Sequence, residues 1–280
     1  MQDQKLAPPP RRALSPPPSA MVYAPDASGE RFTIARGKVS GPQRIVIYGP
    51  GGIGKSSLSA LAPAPIFIDI EEGTRELDVA RAGGIDTWEA LRACLHSSAF
   101  HGFQTVVIDT MTRAGELAVA HTIATVKHEK GGSVARLEDY GFGKGYQHAY
   151  EVSLNLLNDC DAQIRDGRNV IMICHDCTSE VPNPAGENYI RWEPDLQTSK
   201  SGKASTRNRV VQWADHVLRL GYDVNVTKDG KGRGSGTRTI WTDELPQHVA
   251  KSRSVHVALA FESARDDRIW KAIFDGGLAA

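Results

Sequence analysis

The sequence has few of the features that mark exported, membrane-spanning or disulfide-stabilised proteins. Its 280 residues include only four cysteines, at scattered positions, which excludes a disulfide scaffold and favours reduced thiols. No apolar run approaches the ~20 residues of a membrane span, and the N-terminal region has no apolar signal core. The net charge is zero, so no overall basic field indicates nucleic acid. We therefore expect a cytoplasmic protein without a membrane partner, whose basic surfaces are local.

Composition divides the chain into four parts. Residues 1–20 are rich in proline, which cannot build a core, and predict a disordered tail. Residues 21–40 alternate loosely between apolar and polar side chains and predict a short strand pair, which could act as an oligomerisation arm. Residues 41–260 are long enough for one α/β core, and residues 261–280 are interpreted as a C-terminal tail.

Short apolar strands alternate with helical segments through the core. Strands are predicted at 44–48, 65–70, 104–109, 169–174 and 214–220. Their near-continuous apolar character is typical of parallel strands buried on both faces. Helices are predicted at 55–62, 87–97, 112–127 and 145–166, and glycines near Asp229 predict a hairpin over 219–242. The pattern predicts an α/β fold with a mainly parallel central sheet, whereas residues 176–209 show only a polar, glycine-rich stretch.

The most informative motif lies between the first predicted strand and the first predicted helix. Gly49-x4-Gly54-Lys55-Ser56 follows a β-branched strand, which is the context of a phosphate-binding loop. Lys55 should reach the β- and γ-phosphates, and the Ser56 hydroxyl should ligate Mg²⁺. Glycine backbone N–H groups and the helix N-terminus would surround the anion. The predicted contacts to a nucleoside triphosphate are Gly49, Pro50, Gly51, Gly52, Ile53, Gly54, Lys55, Ser56 and Ser57.

Carboxylates follow two of the predicted strands. Asp109 ends the apolar strand 104–109 and, downstream of a phosphate loop, is predicted to hold Mg²⁺ directly or through water. Glu71 follows strand 65–70 and could orient and deprotonate the water that attacks the γ-phosphate. Glu72 and Asp69 are alternatives for that role, although Asp69 should point to the other side of its strand.

His175 ends the fourth predicted strand. If that strand lies between the loop strand and the Asp109 strand, His175 faces the γ-phosphate and could sense the state of the nucleotide. The alternative is a histidine held by backbone hydrogen bonds without a role in catalysis. We keep His175 with Glu71 and Lys55 as the candidate catalytic residues.

Two segments combine basic, aromatic and glycine residues, namely 140–146 and 189–209. Basic side chains can follow a phosphate backbone while aromatic rings stack on unpaired bases. In a chain without net charge this local bias is informative, although a solvated loop remains the alternative. The candidate DNA contacts, including Lys130 just upstream, are Lys130, Lys144, Tyr146, Arg191, Trp192, Lys200, Lys203, Arg207 and Arg209.

Taken in order, these motifs resemble a known ATPase core. The phosphate loop, Phe67-Ile-Asp-Ile-Glu71, Thr105-Val-Val-Ile-Asp-Thr110 and Val170-Ile-Met-Ile-Cys-His175 occur in the order of RecA-type ATPases. With Gly143-Lys-Gly-Tyr146 they resemble more specifically the small RecA-like ATPases of bacteriophages, the Sak-type single-strand-annealing recombinases. The resemblance covers roughly residues 40–255.

The resemblance implies properties that the spacing of motifs does not show. It implies ATP and Mg²⁺ as cofactors, sheet order 5-1-4-3-2, and a ring or filament with ATP between subunits. It implies that single-stranded DNA binds loops near 128–144 and 178–208, and it matches Glu71 with the catalytic glutamate. Lys251 and Arg253 loosely resemble a motif of RadA-type relatives that contacts ATP in a neighbouring subunit. Phe32-Thr-Ile-Ala35 is similar to the polymerisation segment of those relatives.

The predicted function is that of an ATP- and Mg²⁺-dependent recombinase. It would bind single-stranded DNA and promote annealing or strand pairing in phage DNA recombination, with a single-strand-binding protein as a further partner. The main alternative is a RecA-fold ring motor or helicase loader that acts on DNA or on protein. A nucleotide-dependent DNA-binding scaffold without hydrolysis is a third hypothesis.

Overall fold

The chain divides into two units, residues 1–41 and 42–280. The computed structural model describes residues 21–22, 33–34, 36–37, 39–199, 202–226 and 232–275. In the first unit, β1 (Met21–Val22) pairs antiparallel with β2 (Thr33–Ile34), within the segment where a strand pair was predicted. The proline-rich residues 1–20, as well as Phe32 and Ala35, lie outside the described residues, so their predicted roles stay predictions.

A central sheet carries the second unit. Its strands and a separate hairpin are β3 (Arg44–Tyr48), β4 (Pro65–Asp69), β5 (Ala80–Ala82), β6 (Thr105–Asp109), β7 (Asn169–Cys174), β8 (Asp176–Val181), β9 (Tyr189–Pro194), β10 (His216–Val226), β11 (Gly232–Trp241) and β12 (Leu259–Ala260). The sheet order is β12-β11-β10-β3-β7-β6-β4-β5, and β8 and β9 form a separate two-stranded sheet. Strands from β10 to β5 run parallel, whereas β11 and β12 are antiparallel additions.

The predicted fold class is confirmed. Numbered as predicted, the five core strands stand in the order 5-1-4-3-2, with β10 and β11 forming the predicted C-terminal hairpin. The strand that carries the phosphate loop therefore lies between β10 and β7, and β6 lies between β7 and β4. Since all five run parallel, their carboxyl ends meet at one edge of the sheet, where α/β proteins bind ligands.

Helices pack on the sheet, and the first four along the chain lie close to the predicted positions. They are α1 (Lys55–Ser59), α2 (Trp88–Leu95), α3 (Met111–Thr125), α4 (Lys144–Arg165), α5 (Thr206–Trp213) and α6 (Arg268–Phe274). Thr87 caps α2 by accepting a hydrogen bond from Ala90 N, and Thr110 caps α3 in the same way. Among the described residues, no helix has the length and apolar character needed to cross a bilayer.

Alternation along the strands divides the core into two layers. On β3, Val46 and Tyr48 face a cluster with α2, α3 and α4, whereas Ile45 and Ile47 face a cluster with α1 and α6. All four side chains are fully buried. Burial of each aliphatic side chain contributes roughly 1.5–3 kcal/mol, so the core strands supply the rigid platform from which the loops at the sheet edge extend.

Two regions differ from their sequence-based predictions. Residues 261–280 are not simply a tail, because α6 buries Ile269, Trp270 and Ile273, and Trp270 Nε1 donates to the carbonyl of Leu58 at 2.7 Å. A helix of seven residues leaves too short an apolar pattern to be recognised from sequence. The stretch 176–209 likewise contains the β8–β9 hairpin and the start of α5, although its composition predicted a loop.

A buried histidine should make the stability of the fold sensitive to acid. His216 is 1% exposed, and burial lowers its pKa to about 4, although Asp215 opposes that shift. In the unfolded chain the histidine takes up a proton near pH 6.5, whereas in the fold it stays neutral down to about pH 4. The contribution of neutral His216 to the free energy of unfolding is therefore complete above about pH 6.5 and is lost as the pH falls towards about 4. We expect a loss on the order of 1–3 kcal/mol in the free energy of unfolding, measured with urea. His216→Gln should flatten that pH dependence, and an unchanged slope would contradict the assignment.

Candidate active site

The phosphate loop joins the end of β3 to the start of α1. Its first glycine, Gly49, packs so closely on β10 that a Cβ there would lie 2.0 Å from the carbonyl oxygen of Leu220. Only glycine allows the backbone to turn at this place. Lys55 begins α1 and, at 6% exposed, is buried within the loop. The sequence motif therefore folds into the strand, loop and helix that phosphate binding requires.

Lys55 points back over its own loop. Its Nζ donates to the carbonyl oxygens of Gly49 at 2.7 Å and of Pro50 at 2.8 Å. Burial lowers the pKa of Lys55, while the nearby carboxylates of Asp176 and Asp109 raise it. The ammonium group is thus held above the glycine backbone, where the β- and γ-phosphates of a nucleotide are expected.

Ser56 and Asp109 form the candidate magnesium site. Ser56 Oγ donates to Asp109 Oδ2 at 2.6 Å, although the two residues are 53 positions apart in the chain. Asp109 is 5% exposed, and burial raises its pKa, while the Ser56 hydrogen bond lowers it. A hydroxyl and a carboxylate oxygen are hard ligands of the kind that Mg²⁺ takes together with substrate phosphates and water. The residues present therefore fit Mg²⁺, which would neutralise phosphate charge during transfer.

Glu71 lies beside the same edge and is held by two neighbours. Thr110 Oγ1 donates to Glu71 Oε1, and His175 Nε2 lies 3.3 Å from that oxygen. The three residues follow β4, β6 and β7, which are adjacent in the sheet. A carboxylate oriented in this way can accept a proton from water at the γ-phosphate.

Asp69 and Glu72, the two alternatives to Glu71, form hydrogen bonds or ion pairs with other groups. Asp69 is 4% exposed and accepts hydrogen bonds from the backbone of Gly73 at 3.0 Å and of Thr74 at 3.2 Å, so it stabilises the turn after β4. Glu72 pairs with Arg75 at the surface. Of the three carboxylates, only Glu71 contacts the residues that follow β6 and β7.

The predicted role of His175 required its strand to lie between the strand of the phosphate loop and the strand of Asp109. Its strand, β7, does lie between β3 and β6, and its ring approaches Glu71. Its backbone N–H donates to Thr112 Oγ1 at 3.1 Å, and its carbonyl accepts from Asp195 N at 2.9 Å. The backbone is thus fixed while the ring stays available to the site, and the sensing role stays a prediction.

The candidate DNA contacts separate into two groups. Lys144, Tyr146 and Lys203 line one open groove of about 630 Å³, which brings together the segment 138–147 with Ser199, Lys203 and Ala204. Lys130 and Arg209 are exposed outside that lining. Lys200 lies outside the described residues.

The other candidates are structural ion-pair or stacking partners. Arg207 and Arg191 both pair with Glu193, at 2.5 Å each, and the Arg207 side chain is only 12% exposed. Trp192 covers the guanidinium of Arg219, with 5.3 Å from its Cζ to the ring centre. The geometry does not present Arg207 as a DNA contact, because its charge is already neutralised beneath the surface. Sequence composition cannot distinguish such a cation from an exposed one.

Lys251 and Arg253 lie far from the phosphate loop of their own chain. Arg253 pairs with Asp215 at 2.9 Å, and Lys251 N donates to the carbonyl of Val217 at 3.0 Å. The loop contacts β10 at Leu220 instead, roughly 15 Å along the chain from Asp215 at the usual rise per strand residue. Their predicted contact with the nucleotide of a second subunit stays a prediction.

Sequence reasoning missed three residues near the candidate sites. Thr110 holds Glu71, and its place directly after the predicted magnesium aspartate could have indicated a role. Phe142 extends fully into solvent beside Lys144, and its glycine neighbours were a signal for an unusual turn. Arg238 contacts the phosphate loop, but it belongs to no recognisable motif.

The sheet order, the phosphate loop and the Ser56–Asp109 pair define a RecA-like P-loop ATPase. The chain belongs to the AAA domain family, whose model matches residues 41–254. The chain is also similar to the KaiC-like protein PH0186 from the hyperthermophilic archaeon Pyrococcus horikoshii OT3, with 12% identity and a TM-score of 0.42. That similarity covers 80% of this chain and 88% of the archaeal chain. No curated protein matches the sequence significantly.

Proposed function

We propose that this ATPase binds single-stranded DNA and uses ATP and Mg²⁺ to promote annealing or strand pairing. The observation that carries the proposal is the groove, because it unites two segments that the sequence had indicated separately as DNA-binding. The motif resemblance to phage annealing recombinases supports phage DNA recombination as the setting. Self-assembly into a ring or filament, with Lys251 and Arg253 contacting a neighbour's nucleotide, belongs to the same proposal.

Phe142 gives the groove a feature suited to unpaired bases. Its side chain is 102% exposed, so it contributes no burial to folding. Its φ of 50° is unfavourable for a residue with a Cβ, at a cost of about 1 kcal/mol or more. An aromatic ring held in solvent at such a cost can stack on a base, which is worth about 1–3 kcal/mol per base.

Lysines flank the ring in the groove. Lys203 is exposed, and Lys144 is 45% exposed while its Nζ lies 2.5 Å from Glu129 Oε2. Glu138 also lines the groove, but Tyr146 Oη donates to it. Two cations beside an exposed ring match the combination of backbone and base contacts that single strands offer.

ATP hydrolysis measured with single-stranded DNA, with duplex DNA and without DNA is the test. We expect single strands alone to raise the rate several-fold, because unpaired bases can reach Phe142. Equal rates in all three conditions would contradict coupling between DNA and hydrolysis and would indicate a protein substrate. Unwinding of a forked duplex without annealing activity would instead favour the ring motor or helicase loader.

Variants of the groove belong to the same experiment. Lys144→Ala with Lys203→Ala should lower the salt dependence of single-strand binding by about 1.4 in log–log slope, since each phosphate contact contributes about 0.7. Phe142→Ala should weaken the binding of single-stranded DNA, whereas Phe142→Trp, which keeps an aromatic ring, should bind it as the parent does. Lys271→Ala is the matched control, because this lysine is 63% exposed on α6, which packs on the other face of the sheet. Equal effects from the control would contradict the assignment of the groove.

A further inference from the structure

Arg238, on β11, reaches the phosphate loop from the side of the C-terminal hairpin. Its Nη1 donates to the carbonyl oxygen of Ile53 at 2.8 Å. Its Cζ lies 4.4 Å from the centre of the Phe261 ring, which is 2% exposed, and Phe261 N donates to the Arg238 carbonyl at 2.7 Å. The guanidinium is therefore held between a buried aromatic ring and the backbone of the loop.

Gly54 provides the space that Arg238 occupies. A Cβ on Gly54 would lie 2.9 Å from Arg238 Nη1 and 3.0 Å from the Phe261 ring. Gly54 also has a φ of 108°, which residues with a Cβ rarely adopt. The last glycine of the motif therefore serves two purposes, since it allows the turn into α1 and admits the guanidinium.

The peptide between Ile53 and Gly54 links this contact to the nucleotide. In a planar trans peptide the C=O and the following N–H point in opposite directions. Arg238 holds the Ile53 carbonyl towards the hairpin, so the Gly54 N–H points away from the hairpin, and we expect it to donate to a phosphate on that side. A rotation of this one peptide would replace a donor by an acceptor oxygen facing the phosphates.

Hydrogen bonds within the hairpin of β10 and β11 fix the residues on either side of Arg238. Thr237 Oγ1 and Thr239 Oγ1, on either side of Arg238, donate to the Asp223 carboxylate of the opposing strand at 2.6 Å and 2.7 Å. Arg238 itself lies opposite Tyr222 in the register of β10 and β11. Arg238 is therefore held beside β10, and on its other side its carbonyl accepts from Phe261 N, directly after β12.

We infer that Arg238 is a positioning residue for ATP, which acts by holding the Ile53–Gly54 peptide in the orientation that binds phosphate. It makes no contact with Glu71, Asp109 or His175 among the described residues, so it should affect nucleotide affinity rather than the hydrolytic step. This inference depends on the ATPase site alone and is independent of DNA binding.

Titration with a fluorescent ATP analogue, together with steady-state hydrolysis, tests this inference. Arg238→Ala should raise the Kd and the KM for ATP about 10-fold, because a hydrogen bond from a charged group is lost, while kcat changes less than about 3-fold. Arg238→Lys keeps the charge but not the planar fork of the guanidinium, so its Kd and KM should lie between those of the parent and those of Arg238→Ala. Arg265→Ala, the loss of an exposed arginine just beyond Phe261, should leave all three constants unchanged.

A double-mutant cycle separates positioning from a general loss of structure. Phe261→Leu removes the stacking surface, so its effect on Kd should largely disappear in the Arg238→Ala background. Thermal unfolding measures the folded fraction of every variant, and Arg238→Lys provides the result if the alanine variant does not fold. A Kd within 2-fold of the parent in folded Arg238→Ala, or in folded Arg238→Lys where the alanine variant does not fold, would overturn the inference. Additive effects in the cycle, or a loss of kcat at constant KM, would also overturn it.

Discussion

Lys55→Ala is expected to abolish measurable ATP binding, with a Kd raised at least about 100-fold and hydrolysis near background. The lysine is the cation enclosed by the phosphate loop, and a hydrogen bond from a charged group is worth about 1.5–3 kcal/mol for each phosphate contact. Contacts to two phosphates would account for a factor of that size. Titration of a fluorescent ATP analogue measures the change directly.

The control for Lys55→Ala is a lysine of equal charge outside the loop. Lys144→Ala removes one positive charge from the second unit but leaves the loop intact, so it should keep the parent Kd for ATP. Circular dichroism during heating would show whether the Lys55 variant remains folded. A folded Lys55→Ala protein whose Kd rises less than 3-fold would contradict the assignment of the phosphate site.

Glu71→Gln is expected to lower the rate of ATP hydrolysis by about 100-fold or more while ATP binding stays within about 3-fold. Glutamine keeps the shape of the side chain and can still accept from Thr110, but it cannot take a proton from water. General-base catalysis contributes about 10²–10⁴ in rate, which sets the expected range. Single-turnover hydrolysis with the protein in excess separates this step from binding and product release.

Glu72→Gln is the matched control because the same change is made one residue away. Glu72 is paired with Arg75 at the surface, and its side chain is 63% exposed. The Glu72→Gln variant should therefore hydrolyse ATP at the rate of the parent. Equal losses in both variants would show that the position of Glu71 is not special. Hydrolysis at the parent rate in Glu71→Gln would support the hypothesis of a scaffold that does not require this carboxylate.

Local patterns in the sequence predicted most of the fold. The strands are runs of β-branched and aliphatic residues, and four helices begin within a residue of their predicted starts because Thr87 and Thr110 cap two of them and glycines precede the other two. The strand order was implied by the resemblance and not by periodicity, since no local pattern states which strands are neighbours. The seven-residue α6 was missed because its burial depends on α1 and the sheet.

The candidate site shows the same division. Residues of the phosphate loop contact one another within a few positions of chain, so the motif alone indicated Lys55 and Ser56. The choice among Asp69, Glu71 and Glu72 depended on Thr110 and His175, which are distant in sequence. Sequence composition indicated Arg207 as a DNA contact, whereas in the folded chain its guanidinium pairs with Glu193.

The sequence by itself determined that this protein has a phosphate loop on a parallel α/β sheet, because those features come from bond geometry and from side-chain patterns over a few residues. Only the tertiary structure decided which carboxylate faces the site, which cations remain exposed beside Phe142, and that Arg238 holds the loop from another strand. Burial and charge pairing are properties of residues brought together from different strands. For Ile53 and Arg238, 185 positions apart, only the folded chain establishes the contact.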